Sequence, residues 1–256
     1  MSIPTIILCG GIGYRLKEET EFKPKPMIEI GGKPILWHIM KIYSHHGFNR
    51  FVIALGYKGN LIKDYFVGKK YYDGDFTIDA KSGKILHHRG LNSDNFKITF
   101  ADTGTESLTG ERVRRLKKYI NADIFMVTYG DGLSNINIKE LLKHHKKSKA
   151  WATVSAVHPP LKYGGFEKDK KGNVVSFQKK AITKQLINGG YMVINKKVLD
   201  MIPKDSMIED IFEELILKKR LDIFEHNGYF HAMDTYQDVN DLNDAWRGSA
   251  PWKIWD

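Results

Sequence analysis

The stretch IPTIILCGGIG, residues 3–13, joins seven mostly apolar residues to three glycines in four positions. An apolar run without polar alternation predicts a strand over 3–9 buried on both faces, the habit of a parallel sheet. The glycines after it place a loop at the strand's carboxyl end, where open α/β sheets bind their ligands. Gly10, Gly11 and Gly13 let backbone N–H groups approach phosphate oxygens with no Cβ in the way, and Arg15 adds a fork of donors. Taken alone, such a loop also suits a tight structural turn. It is not a Walker loop, since no Gly-Lys-Ser/Thr follows, and the third glycine comes too early for a dinucleotide fingerprint.

Outward from this stretch, short apolar runs alternate with helical periods. A helix is predicted over 35–46, a strand over 50–57 and a helix over 59–66. A strand at 96–102, a basic-faced helix at 111–120, a strand at 123–131 and a helix at 138–147 follow. That order predicts an α/β fold with a mainly parallel sheet flanked by helices. The second half is richer in short strands (WATVSAV, NVVSF, NGGYMVIN, RLDIFEH, GYFHAMD), which read as a mixed extension of the same sheet. With no linker, repeat or low-complexity stretch, residues 1–256 read as one domain. Residues 68–95 break the alternation. Segments around Asp73-Gly74 and Ser82-Gly83 predict a small β excursion, of the length used for lids or subunit contacts. His87 and His88 within it are adjacent strand residues that face opposite ways, and read as surface histidines.

Composition limits the partners. The net charge of +10 suits an anionic ligand. Nucleic acid is not expected, because the 32 lysines and 8 arginines are spread along the chain and base reading favours arginine. The single cysteine, Cys9, ends an apolar strand and reads as a core residue in a reducing cytoplasm. No apolar run reaches the ~18 residues of a membrane span, and no leader is expected.

Lys23-Pro24-Lys25-Pro26 sharpens the functional reading. Prolines on both sides of Lys25 restrain its backbone and aim its ammonium, which a merely solvated lysine does not need. A fixed cation shortly after a glycine loop suits a polyphosphate whose charge grows during phosphoryl or nucleotidyl transfer.

At this point the chain resembles the sugar-1-phosphate nucleotidyltransferases. The run LKEET…KPKPMIEIGGKPILWHIMKIY is most similar to the glucose-1-phosphate cytidylyltransferase branch of that family. GYKG (56–59), DTG…LTG.R (102–112), TYGDGLSN (128–135), INGGY (187–191), MDT (233–235) and APWK (250–253) continue the match in order. The resemblance implies a single Rossmann-like domain, usually in a homo-oligomer. It implies CTP and a phosphorylated small-molecule acceptor as partners, with Mg²⁺ as cofactor, giving a CDP-activated sugar or polyol for surface polysaccharide. Thymidylyl- and uridylyltransferases share the early loop.

By the same resemblance, Gly10, Gly11, Gly13, Arg15, Lys25, Thr109, Arg112 and Asp131 surround the nucleotide, with Arg15 and Lys25 catalytic. Asp131 and Asp234 are the implied metal carboxylates. Lys179, Lys180, Asn188 and Gly189 fall in the acceptor site. Two departures stand out. Tyr14 takes the place of a threonine. FQKKA at 177–181 stands where the family reads Phe-Gln-Glu-Lys-Pro, so Lys179 replaces a glutamate that accepts sugar hydroxyls. An ammonium cannot accept a hydrogen bond, and this change points to an acceptor other than glucose 1-phosphate.

Overall fold

The computed structural model describes residues 2–72, 75–88, 94–159, 164–179, 183 and 185–255. Its centre is a seven-stranded sheet: β1 (Thr5–Cys9), β2 (Arg50–Leu55), β3 (Lys97–Asp102), β4 (Ile124–Tyr129), β5 (Ala152–Val157), β6 (Ile187–Asn195) and β7 (Leu221–His226). The spatial order is β3-β2-β1-β4-β6-β5-β7. Only β6 runs against its neighbours; the remaining pairings are parallel. The chain moves outward from β1 through β2 to β3, then returns to pair β4 on β1's other side. That reversal opens a crevice at the carboxyl ends of β1 and β4.

Burial on both faces explains the unbroken apolar strands. Ile7, Cys9, Phe51, Ile53 and Met126 point into one core, beneath α1 (Ile35–His45), α4 (Ile138–Lys147) and α6 (Tyr236–Arg247). Ile6, Leu8, Val52, Ala54 and Val127 point into the other, beneath α3 (Thr109–Arg115) and α5 (Asp210–Leu217). Another helix, α2 (Gly59–Tyr72), runs six residues beyond its predicted end. The predicted helix over 111–120 instead stops at Arg115 and passes into a short 3₁₀ turn.

The second half departs from the reading above in two ways. Among the described residues, Val174–Gln178 pairs only with Gly165–Lys168, and Phe230–Ala232 only with Gly132–Ser134, so neither extends the main sheet. Two helices, α5 and α6, also lie where short strands dominate the sequence pattern. The signal for α6 is Thr235-x-x-Asp238: the Thr235 hydroxyl accepts from Asp238 N–H, and the Asp238 carboxylate accepts from Thr235 N–H.

The β excursion is a two-stranded hairpin, Phe76–Asp79 with Lys84–His87, turned by Gly83 at φ +70°. The predicted turn at Asp73-Gly74 lies outside the described residues. No helix among the described residues is long and apolar enough to cross a membrane.

Candidate active site

A cleft of about 310 Å³ opens at the carboxyl ends of β1 and β4. Gly10, Gly11, Gly13, Lys25, Thr109, Arg112 and Asp131 all line it, together with Leu8, Ser107, Tyr129 and Met207. Seven residues spread over 122 positions of sequence are thus brought to one wall-to-wall space.

The three glycines serve different needs. A Cβ on Gly10 would lie 2.1 Å from an Arg112 nitrogen, so this glycine makes room for a protein cation. Gly13 adopts φ +75° and turns the loop back, while Gly11 faces open space on the cleft. Gly11 thus leaves bare backbone on the cleft wall.

Arg112 is 3% exposed and lies beneath the loop. Its terminal nitrogens donate to the carbonyls of Gly10 (3.0 Å), Leu55 (3.2 Å) and Thr105 (2.9 Å), and to the Thr103 hydroxyl (2.8 Å). These bonds tie the glycine loop to the segments after β2 and β3. Burial lowers the guanidinium's pKa from its ordinary value, and the ring of carbonyls compensates the lost hydration. Gly56 of GYKG is needed for the same reason, since a Cβ there would lie 2.6 Å from both Arg112 and the Gly10 carbonyl. Tyr57 N–H donates to that carbonyl at 3.1 Å. The Tyr57 hydroxyl donates to Thr20 O at 3.0 Å, anchoring the far end of the loop.

Asp131 and Asp234 are brought together by the small ladder that stands outside the sheet. Asp131 immediately precedes Gly132–Ser134 and Asp234 follows Phe230–Ala232 by two residues; these strands are antiparallel, with Ala232 opposite Gly132. Met233 N–H closes the ladder on Asp131 O at 2.9 Å. Gly130 permits the tight exit from β4, because a Cβ would lie 2.8 Å from Leu8 O. Asp238, which the sequence reading passed over, holds the other side. Its Oδ2 accepts from the N–H groups of Asp234 (3.0 Å) and Thr235 (2.7 Å), while Oδ1 meets His231 Nε2 at 3.0 Å. Burial opposes its ionisation, but these hydrogen bonds outweigh burial and hold its pKa below the ordinary carboxylate value.

Lys25 lies in a 3₁₀ turn that begins after Pro24 and buries Pro26 against Gly130. Its Nζ donates to Asp131 Oδ2 at 2.6 Å and to Asp234 Oδ1 at 2.8 Å. Burial disfavours the ammonium, yet the two carboxylates outweigh it and raise the Lys25 pKa. Arg15 reaches Asp234 Oδ2 at 3.5 Å from the exposed rim. It adjoins Tyr14, Glu18, Glu19 and Tyr236 around a separate shallow depression. Cys9 beneath the cleft is buried, and burial with the nearby Asp131 charge raises its thiol pKa, in line with a core role.

The Tyr129 hydroxyl donates to Glu209 Oε1, which also accepts from Asn188 Nδ2 at 3.4 Å. Glu209 Oε2 is buried without a hydrogen-bond partner among the described residues. Gly189 is closed in by Ser155, whose Oγ would lie 2.7 Å from a Cβ. Lys179 is exposed in the turn after Val174–Gln178, while Lys180 and Ala181 lie outside the described residues. Glu209 carried no motif; only its distance from Asn188 in the fold reveals it. Thr109 braces the same region, its hydroxyl accepting from Ile208 N–H at 2.9 Å.

The nucleotidyl transferase family model matches residues 4–251. The chain belongs to the nucleotidyl transferase family. A glucose-1-phosphate cytidylyltransferase of Salmonella typhimurium is 42% identical over 257 residues, covering 98% of this chain and 99% of the relative. A D-glycero-alpha-D-manno-heptose 1-phosphate guanylyltransferase of Campylobacter jejuni is 28% identical, covering 86% and 90%. The crystal structure of HddC from Yersinia pseudotuberculosis with GMP-PN superposes with a TM-score of 0.67 at 25% identity, covering 95% of this chain and 99% of the other. A Bacillus anthracis crystal structure, 16% identical, shares the fold with a TM-score of 0.71 and 96% coverage of each chain. As a member of this family, the chain is a nucleotidyltransferase, and its mainly parallel, helix-flanked sheet is the fold that the sequence reading anticipated.

Proposed function

We propose that this nucleotidyltransferase couples CTP to a phosphate monoester, releasing pyrophosphate and forming a CDP-activated sugar or polyol. The observation that carries it is the convergence of the Gly11 backbone, Lys25 and the Asp131–Asp234 pair at one sheet edge. The 42% identity to a relative named glucose-1-phosphate cytidylyltransferase supports cytidine as the nucleotide and a sugar phosphate as the acceptor class.

Asp131 and Asp234 fit Mg²⁺, which takes one or two carboxylates and fills its shell with water and phosphate oxygens. When bound there, the ion supplies charge neutralisation at the reacting phosphate. The protein's own residues do the rest. Gly10, Gly11 and Gly13 shape the seat for the triphosphate, with Arg112 fixing their course and Thr109 bordering the opening. Lys25 and Arg15 stabilise negative charge on the leaving pyrophosphate. The acceptor needs no protein nucleophile or base, because its phosphate is already an anion; its oxygen forms the new bond to the α-phosphorus as the bond to the pyrophosphate oxygen breaks. Holding two polyanions in line is the principal task. Lys179 and Lys180 provide cations for the acceptor, while Asn188 and the backbone at Gly189 border its polar part. The lone buried thiol suits work in a reducing cytoplasm.

The acceptor is proposed to be more compact or more anionic than glucose 1-phosphate, because Lys179 cannot accept a sugar hydroxyl. A second reading, glucose 1-phosphate itself, is favoured by the relative and by Glu209, whose orphaned oxygen can accept the hydroxyl instead. Glu167 is a poorer substitute, since its carboxylate already accepts from Ser176 Oγ at 2.9 Å on an exposed hairpin.

A panel of phosphate monoesters with CTP, read by pyrophosphate release, tests both levels. CTP is expected to outcompete dTTP and UTP. Asp131→Ala and Asp234→Ala are expected to lower turnover by ~10²-fold or more with folding retained. Full activity in either variant removes that aspartate from the site. Glucose 1-phosphate giving the highest kcat/KM, unimproved by Lys179→Glu, establishes the second reading.

A further inference from the structure

Lys25 holds two assignments that it cannot fulfil at once. The proposed reaction asks its ammonium to stabilise pyrophosphate, yet that ammonium sits on Asp131 (2.6 Å) and Asp234 (2.8 Å), the carboxylates proposed for the metal. The contact is sheltered: the Lys25 side chain is only 13% exposed, against 78% for Arg15 on the rim. Without a cation between them, the two carboxylates would face each other across a partly buried space, which is unfavourable. Their backbones cannot separate to relieve this, because the Asp131–Met233 hydrogen bond and the Asp238 cap fix both.

We propose that Lys25 is the resident counter-ion of the Asp131–Asp234 pair, keeping divalent cations off these carboxylates until a nucleoside triphosphate draws its ammonium away. The inference rests on the metal reading given above. Its physical content is competition. A divalent cation arriving alone must displace an ammonium that then has no anionic partner in a partly buried cleft. A triphosphate offers that partner, so nucleotide and metal arrive as a coupled pair, each strengthening the other by the same factor. The device keeps the carboxylates ordered in the empty protein and prevents occupation by metal without substrate. Lys25 is therefore both a group that touches substrate and the gate of its own metal site.

The test is Mn²⁺ binding to the nucleotide-free protein, with free Mn²⁺ followed by its electron paramagnetic resonance signal. Wild type is expected to bind weakly. Lys25→Met and Lys25→Gln are expected to bind Mn²⁺ ~10-fold more tightly or better, since a cation in contact changes a carboxylate's hold on a competitor by about that factor or more. Lys25→Arg keeps the charge and is expected to stay weak. Lys23→Met removes an equal charge two residues away, from a lysine paired instead with Glu19 at 3.8 Å, and is expected to change affinity by less than ~3-fold. Thermal melts establish that each variant is folded, and two neutral variants guard against the loss of one. If neither neutral variant binds Mn²⁺ more tightly than wild type, or if Lys23→Met tightens binding equally, the gate is wrong. Adding Asp131→Asn to Lys25→Met separates the two levels. Loss of the tightened site supports both readings; its survival shows that Mn²⁺ binds elsewhere and overturns the metal assignment itself.

Discussion

Gly10 and Arg112 are 102 positions apart, yet neither residue type is explicable without the other. The arginine needs carbonyl partners because it is buried, and the loop can offer Gly10 O only where no Cβ intervenes. Gly10→Ala is therefore expected to displace the guanidinium and the loop together. Arg112→Leu is expected to cost about 3 kcal/mol, because several carbonyls beneath the loop lose their donor; the fall in Tm should be roughly 6–12 °C. Differential scanning calorimetry checks this. A melt unchanged by either substitution would mean that the loop does not depend on the arginine. The sequence marked both residues as nucleotide-binding, whereas the geometry shows Arg112 with its donors engaged by protein.

At the scale of an element, α1 carries a polar residue on its most buried face. His38 is fully buried, edge-on to the Trp37 and Trp246 rings at 5.1 and 5.0 Å. Its Nε2 donates to Ile30 O at 2.8 Å, and Nδ1 accepts from Trp252 Nε1–H at 3.3 Å. Both nitrogens are matched by the neutral ring, and burial pushes its pKa down to about 4. The unfolded chain binds a proton near pH 6.5, the folded chain only near 4, so this contribution is complete above 6.5 and fades as pH falls toward 4. Between pH 7.5 and 5 the expected loss is about 2 kcal/mol, and urea midpoints for wild type and His38→Gln measure it. His46, His145 and His226 are also lowered by burial and act with the same sign, so the variant should flatten the slope without abolishing it. An equal slope in both proteins would remove His38 from the effect. The motif Ala-Pro-Trp-Lys thus has a structural meaning: Trp252 joins the chain's end to α1.

For the whole molecule, the hairpin at 76–87 is one of the described elements that leaves apolar side chains exposed. Ile78 and Leu86 are 55% and 65% exposed, and Phe76 is 36% exposed. Ile78 and Leu86 lie on opposite faces, so a fold onto the body could cover only one. A two-stranded hairpin is marginal alone. Residues 68–95 are accordingly proposed to pack on a second copy of the chain or to cover its site, and an oligomer is expected. Light scattering at micromolar concentration decides this. A monomer there, or an oligomer unaffected by Ile78→Asp with Leu86→Asp, would reject the hairpin as the contact.

The order of strands and helices around the glycine loop was legible because parallel strands buried on both faces leave continuous apolar runs. The position of that loop was legible for a related reason: bare backbone at a strand's carboxyl end has few purposes. Lys25 announced itself through its flanking prolines. Other features have no local signature. Whether Val174–Gln178 and Phe230–Ala232 join the sheet depends on which edge is free, and a five-residue alternation reads the same in either place. Helices α5 and α6 are half-exposed and lie among strong β formers, which masked their helical period. The meeting of Lys25 with Asp131 and Asp234 is set by a small ladder and a capping box far from the proline turn. Glu209, the residue before α5, meets Tyr129 and Asn188 only through the fold. Sequence alone determined the strand pattern, the loop and the candidate ions; tertiary structure decided which charges touch, because contact depends on distances that no local pattern encodes.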